Sequence, residues 1–363
     1  MTKITNTFEK LLTMTQDALL SELPEYLSER SYSVIATDYY ILGVSPSEDI
    51  QPCLVAHLDT INTHRGAGSY NYATKKWETG QKATPKVDDL MISNKYITLS
   101  PEANPKLACL GADDRCGVKT ILDVIEAGKR PHVLFTTDEE IGCVGSNKIV
   151  TEDDLPTLAD SSMLIQIDRG VHEGFWNEMV FYGYDENSIP EILTELEKYY
   201  TLAEGSYTDV AVLGPEYDKP IVNLSAAYEN EHTRNEFINL EAYKKNTEGL
   251  LSFLTWLEGQ DTANWKYTEK APVWYSYGAT AGTWQGSDYA NYDDNTYREF
   301  VKEDLMCVYS GDTDEAMDII ENCKGFKSWL AVSNKSYTLY KEGTVLDSLK
   351  QLVTELGMEY KPA

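Results

Sequence analysis

For most of its first 260 residues the chain alternates short apolar runs with amphipathic stretches. Residues 7–30 carry apolar positions at helical spacing, and "YSVIATDYYILGV" reads as two short strands. "PCLVAHLDT" is an apolar run that gives way to polar residues, as a buried strand does at its exit turn. Residues 60–106 form a polar, aromatic-flecked excursion in which "KYITL" is the clearest strand. Next, "GVKTILDVIEAG" predicts a helix stopped by Gly128, and "PHVLFTT" and "SMLIQID" predict central strands. "PEILTELEKYY" predicts a helix, "KPIVNLS" a strand, and "LEAYKKNTEGLLSFLTWLEG" a long amphipathic helix ending at Gly259. This alternation predicts an α/β fold with a mostly parallel mixed sheet and helices on both faces.

The pattern changes near residue 260. Residues 1–259 are expected to form one domain, and 260–297, rich in Trp, Tyr, Gly and Asp, an aperiodic linker. Residues 298–363 read as a small C-terminal α+β unit. No histidine follows His232, so no chemistry is assigned there.

Composition narrows the function classes. At 363 residues, with 42% hydrophobic and 25% charged positions, the chain can bury a substantial core. Its net charge of −28 argues against nucleic-acid or anionic-membrane partners, whose phosphates need clustered Lys and Arg. The N-terminus is polar and amphipathic, without an apolar run long enough for a signal or membrane span. Six scattered cysteines form no CxxC pair, so the expectation is a cytoplasmic protein with reduced thiols.

Polar residues recur where apolar runs end. They are His57 and Asp59 in "AHLDT", Asp113 and Asp114 in "LGADDRCG", Glu139 and Glu140 in "TTDEEIG", Asp168 in "QIDRG" and His232 in "YENEHTRNEF". Singly, each has a plainer reading: Asp113 or Asp114 could cap the following helix, and the glutamates could be solvated loop charges. Together, an α/β sheet would carry them to one edge, and two histidines among carboxylates suit a borderline divalent cation or a pair of them.

The ordered set H-x-D, G-x-D-D-x-x-G, D-E-E-I-G, a lone Asp and H-x-x-x-E resembles the co-catalytic zinc peptidases of the peptidase T, glutamate carboxypeptidase and aminoacylase group. "GSYTDVAVLG" (205–214) resembles the G-G-T-D segment these enzymes carry before the last histidine. The likeness spans residues 10–258. It implies two divalent metal ions, zinc with cobalt or manganese as alternatives. His57 and Asp168 would hold the first, Glu140 and His232 the second, and Asp113 would bridge them. Asp59 would orient His57, and Glu139 would be the base that activates a metal-bridging water.

The resemblance has a gap. The group inserts a lid domain between the lone Asp and the G-G-T-D segment, whereas only residues 169–204 lie there, and Gly205 stands where an Arg is expected. The lid usually grips the substrate carboxylate and makes the dimer, so a lid-mediated dimer is not expected. Arg169, His172, Tyr228 and Arg234 are the candidates to line the pocket. The reading is a two-metal amide hydrolase, an exopeptidase-type metallopeptidase on a small peptide or peptide-like amide. The alternatives are an N-acyl amino acid deacylase or amidase, a catalytically silent metal-binding scaffold and, more distantly, a two-metal phosphoesterase.

Overall fold

The structure is a computed structural model that describes residues 5–63, 68–71, 76–79, 83–153, 155–172, 174–205 and 207–270. The chain divides into two units, Met1–Lys270 and Ala271–Ala363. The expected linker beyond residue 270 and the C-terminal unit at 298–363 lie outside the described residues.

The helical stretch at 7–30 is split. Helix α1 (Phe8–Leu12) stops at Thr13, whose hydroxyl donates to the Glu9 and Lys10 carbonyls. Thr15 then caps α2 (Gln16–Ser28) by accepting from the Ala18 N–H. The hairpin β1 (Ser33–Ala36) and β2 (Tyr40–Val44) leads to β3 (Cys53–His57). The polar excursion holds two hairpins, β4 (Gly68–Asn71) with β5 (Lys76–Thr79) and β6 (Leu90–Ile92) with β7 (Tyr96–Leu99). Beyond it come α3 (Ala112–Glu126), β8 (His132–Thr136), α4 (Val144–Glu152), α5 (Pro156–Asp160) and β9 (Leu164–Arg169). The rest is β10 (Glu178–Val180), α6 (Pro190–Leu196), β11 (Thr201–Leu202), α7 (Asp209–Glu216), β12 (Ile221–Ser225), β13 (Tyr228–Glu229), β14 (Phe237–Asn239) and α8 (Leu240–Leu257).

Eight strands form one mixed sheet in the order β1-β2-β8-β3-β9-β12-β10-β11. Its centre, β8-β3-β9-β12, is parallel, with β2 and β10 antiparallel at its flanks. Every residue of β3 and β12 is buried, as strands covered on both faces must be. Helix α3 packs on β3 and β9, α7 on β9 and β12, and α8 on α3. β10, α6 and β11, from the 169–204 segment, extend one edge of this sheet or flank it. β13, β14, β7 and β6 form a smaller antiparallel sheet.

From β3 the chain crosses to β8 on one side and then to β9 on the other, so the winding reverses at β3. A crevice opens at the carboxyl ends of strands around such a reversal.

The first unit runs past the boundary expected at 259. Trp265 stacks with Trp256, Lys270 pairs with Glu186, and Glu269 bridges Tyr184. Cys53, Cys109, Cys116 and Cys143 are free and buried. Among the described residues no helix is long and apolar enough to cross a membrane.

Candidate metal centre

His57 is the last residue of β3 and is 1% exposed. Its Nδ1 lies 3.2 Å from Asp59 Oδ1, and its Nε2 lies 2.9 Å from Asp113 Oδ1 and 3.5 Å from Asp168 Oδ1. The other Asp113 oxygen, Oδ2, is 3.1 Å from His232 Nε2, which in turn is 2.8 Å from Glu140 Oε2. Asp113 therefore turns one oxygen to each histidine, and each histidine has a further carboxylate of its own. Residues 56 and 119 positions apart from Asp113 meet on one side chain.

The two aspartates of "ADDR" divide the roles left open between them. α3 is not helical at Asp113 and Asp114, which lets their side chains diverge. Asp114 Oδ1 accepts from the Gly117 N–H at 2.8 Å and so caps the regular helix, while Oδ2 accepts from the His57 N–H at 3.2 Å. A Cβ on Gly117 would stand 2.4 Å from Asp114 Oδ1 and 2.1 Å from the Ile167 carbonyl, so only glycine allows this approach. The ligating atoms of His57, Asp114 and Asp168 lie within 4.8 Å of one another, as do those of Asp113, Glu140 and His232. Both Asp114 oxygens, however, already hold backbone N–H groups, which makes Asp113 the better-placed donor to the His57 side.

Asp59 does more than orient an imidazole. Its Oδ1 accepts from the Glu139 N–H at 3.0 Å and its Oδ2 from the Glu140 N–H at 3.1 Å. One buried carboxylate thus fixes His57 and the backbone of both adjacent glutamates. Asp168 is held by Thr208, Gln166 and Tyr228, whose hydroxyl donates to Oδ1 at 3.1 Å. Asp209, next to Thr208 and fully buried, accepts from Thr136 Oγ1.

Two residues essential to this arrangement had no assigned role. Glu236, four positions after His232 in H-x-x-x-E, is fully buried and accepts from the Gly111 and Asp113 N–H groups. Arg115, 1% exposed, donates to the Leu11, Met14, Leu58 and Asp59 carbonyls, tying the N-terminal helices to the loop after β3. The spacing to His232 was the available signal for Glu236; none marked Arg115. Glu236→Ala would leave the buried Gly111 and Asp113 N–H groups without their side-chain acceptor. We expect it to destabilise the fold by about 1–3 kcal/mol, read from denaturant unfolding of the metal-free protein.

The electrostatics are those of a site short of positive charge. Burial raises the pKa of Glu140 to about 7 and of Asp168 to about 6, with Asp113 adding to both. Burial and then Asp113 raise Glu236 to about 8. Burial pushes Glu139 well above its ordinary value, reinforced by Asp168, Asp209 and Asp113 and opposed by His57. Burial disfavours charge on His57, yet Asp168, Asp113 and Asp59 outweigh it and hold the ring well above its usual pKa. His232, likewise opposed by burial, is raised to about 11 by Asp113 and Glu140. Among the described residues, the buried Glu140 Oε1 has no hydrogen-bond partner. A donor set of imidazole nitrogens and carboxylates, with a buried orphan oxygen, fits a pair of divalent cations.

Each of the four pocket candidates has a partner within the protein. Arg169 pairs with Glu178 at 2.8 Å and donates to the Glu204 carbonyl. Arg234 donates to the Ala103, Asn104 and Leu107 carbonyls, and Tyr228 to Asp168. His172 is half-exposed and lies 3.1 Å from Glu231.

No protein-family model matches the sequence, and no curated protein does. Solved structures do resemble the fold. A tripeptidase from Staphylococcus aureus subsp. aureus Mu50 superposes with a TM-score of 0.51 at 13% identity, over 70% of this chain and 98% of that one. Aminopeptidase PepT from Bacillus cereus ATCC 10987 gives 0.49 at 14% identity, over 68% and 96%. At such identities the likeness is one of fold alone, an α/β mixed sheet.

Proposed function

We propose that the first unit is a two-metal amide hydrolase, an exopeptidase-type metallopeptidase acting on small peptides. The observation that carries this reading is the Asp113 carboxylate, whose oxygens lie 2.9 Å from His57 Nε2 and 3.1 Å from His232 Nε2. His57, Asp168 and Asp113 would hold one cation, and Asp113, Glu140 and His232 the other. Zinc suits these donors, with cobalt or manganese as alternatives. When bound, such a pair polarises a carbonyl and makes water a better acid. Glu139, held through its N–H by Asp59, takes the proton of the attacking water and delivers it to the leaving amine. Asp59 keeps the His57 ring turned to the centre, and Glu236 holds the backbone of Asp113. A silent scaffold needs the ligands but has no use for Glu139, a part-buried carboxylate beside them that this reading leaves off the metals.

The test is full-length protein reconstituted separately with zinc, cobalt and manganese, given pooled di- and tripeptides and N-acyl amino acids, with products read by mass spectrometry. Cleavage of peptides that needs both metal and Glu139 is expected. Cleavage of N-acyl amino acids alone would favour a deacylase. Metal bound without any cleavage would reject the activity, and no metal bound would reject the centre.

A further inference from the structure

We infer that Glu231, held by His172, is the subsite for the protonated α-amino group of the substrate, so that the hydrolase trims peptides from their amino ends. The inference rests on the hydrolase reading and adds which end is read, and by what.

Glu231 directly precedes His232, and His172 lies four positions beyond Asp168, in the segment that leaves β9. The contact between them, His172 Nε2 to Glu231 Oε1 at 3.1 Å, joins the segments that carry one residue from each proposed cation position. Their side chains are 46% and 22% exposed, so the pair stands at the open side of an otherwise buried cluster, beside the half-exposed His232.

The position of Glu231 is built into the backbone. A Cβ on Gly170 would stand 2.8 Å from the Tyr228 ring and 3.2 Å from Glu231 Oε2, so the absence of a side chain there lets both close in. Tyr228 continues the line inward, its hydroxyl 3.1 Å from Asp168 Oδ1. The carboxylate at the mouth is thus packed through Gly170 and Tyr228 onto a proposed ligand.

Charge selects the guest. Among the described residues, Arg115 and Arg234 are engaged by backbone carbonyls and Arg169 by Glu178 and the Glu204 carbonyl. None of them offers a free guanidinium to a substrate carboxylate. A carboxylate accepts about four hydrogen bonds, and His172 and the Glu231 backbone N–H take part of that capacity. An ammonium brings three donors to what remains, and a charge-assisted bond of this kind is stronger than a neutral one. His172 is the positioning residue, fixing the carboxylate without being needed as a contact.

The experiment uses metal-loaded full-length protein and three probes: trialanine, its N-acetyl derivative and its C-terminal amide. Wild type is expected to cleave trialanine and the amide and to discriminate against the acetylated peptide. Glu231→Gln, with both metals retained, should raise KM for trialanine roughly 10- to 100-fold, leave kcat within a few-fold, and erase the discrimination. Glu231→Asp, which keeps the charge, and His172→Gln, which keeps a donor, should retain most of it. Glu231→Gln with KM and discrimination unchanged would overturn the subsite, as would a wild type that prefers the acetylated probe. A metal-loaded wild type that cleaves none of the three would overturn the hydrolase reading itself, a different result from either.

Discussion

Glu139→Gln should retain two cations per chain and lose roughly 10²- to 10⁴-fold in kcat. The substitution is isosteric, and the contact that positions this residue, its N–H to Asp59 at 3.0 Å, is made by the backbone and survives. What disappears is the ability to accept a proton. In the metal-free site burial, with help from Asp168, Asp209 and Asp113, raises the Glu139 pKa well above the ordinary range; neighbouring cations would oppose this and favour the ionised carboxylate that accepts the proton. KM should change little, because the amide occupies the same volume. Metal content, measured by mass spectrometry alongside kcat and KM, separates the outcomes. Normal turnover would remove Glu139 from the mechanism, and lost metal would make it a ligand. The metal-free variant should also melt higher than metal-free wild type, because one disfavoured carboxylate is gone from a crowded site.

Much of this arrangement could be read from sequence, because strand exits are legible. A run such as "PCLVAHLDT" announces both a buried strand and the polar residues leaving it, and an α/β sheet carries such exits to one edge. His57, Glu140, Asp168 and His232 come from strand ends or the turns after them and Asp113 from the start of α3, and the five meet within hydrogen-bonding distance or close to it. Glu231 was invisible for the opposite reason. It is one more acid in a polar stretch, and only the approach of His172 and Gly170 distinguishes it. Arg115 shows the same limit: its partners Leu11 and Leu58 lie 104 and 57 positions away, and carbonyls leave no mark in a sequence. Division of labour between neighbours is likewise settled by backbone geometry. Asp113 and Asp114 are identical in sequence terms, yet the non-helical turn at α3 sends one to the histidines and the other to Gly117 and the His57 N–H.

The helices failed to be legible where polar residues interrupt them. α4 and α7 open on the polar loops that serve the centre, and their hydrophobic faces are too short for periodicity to declare them. In each case the local pattern yields to the site. Thr208 and Asp209 at the start of α7 are spent on Asp168 and Thr136 rather than on an ordinary helix entry.

Removing the metals should reverse how stability depends on pH. In the metal-free fold Glu236, Glu140 and Asp168 titrate at about 8, 7 and 6, above the ordinary 4.5 of glutamate and 3.8 of aspartate. The folded state then binds more protons than the unfolded chain, so stability falls as pH rises from about 4 to about 8. The histidines act in the same direction. His232, raised to about 11, contributes fully below its ordinary 6.5 and loses that contribution as pH climbs towards 11; His57 is also raised. Asp113 acts oppositely: the histidines hold it well below 3.8, so its contribution is present above that value and lost on acidification. The metal-free protein should therefore be most stable near about pH 4 and lose stability steadily above it. Bound cations replace those protons, and their binding releases them, so metal should stabilise most where the bare site is worst. At ligand excesses of about 1,000 Kd per site the gain is of order 15 °C or more for a unit of this size. Melting curves with and without chelator from pH 5 to pH 8.5 should show a gap that widens with pH. A gap that stays constant, or is largest at pH 5, would mean that the cations are held by groups other than these carboxylates and histidines.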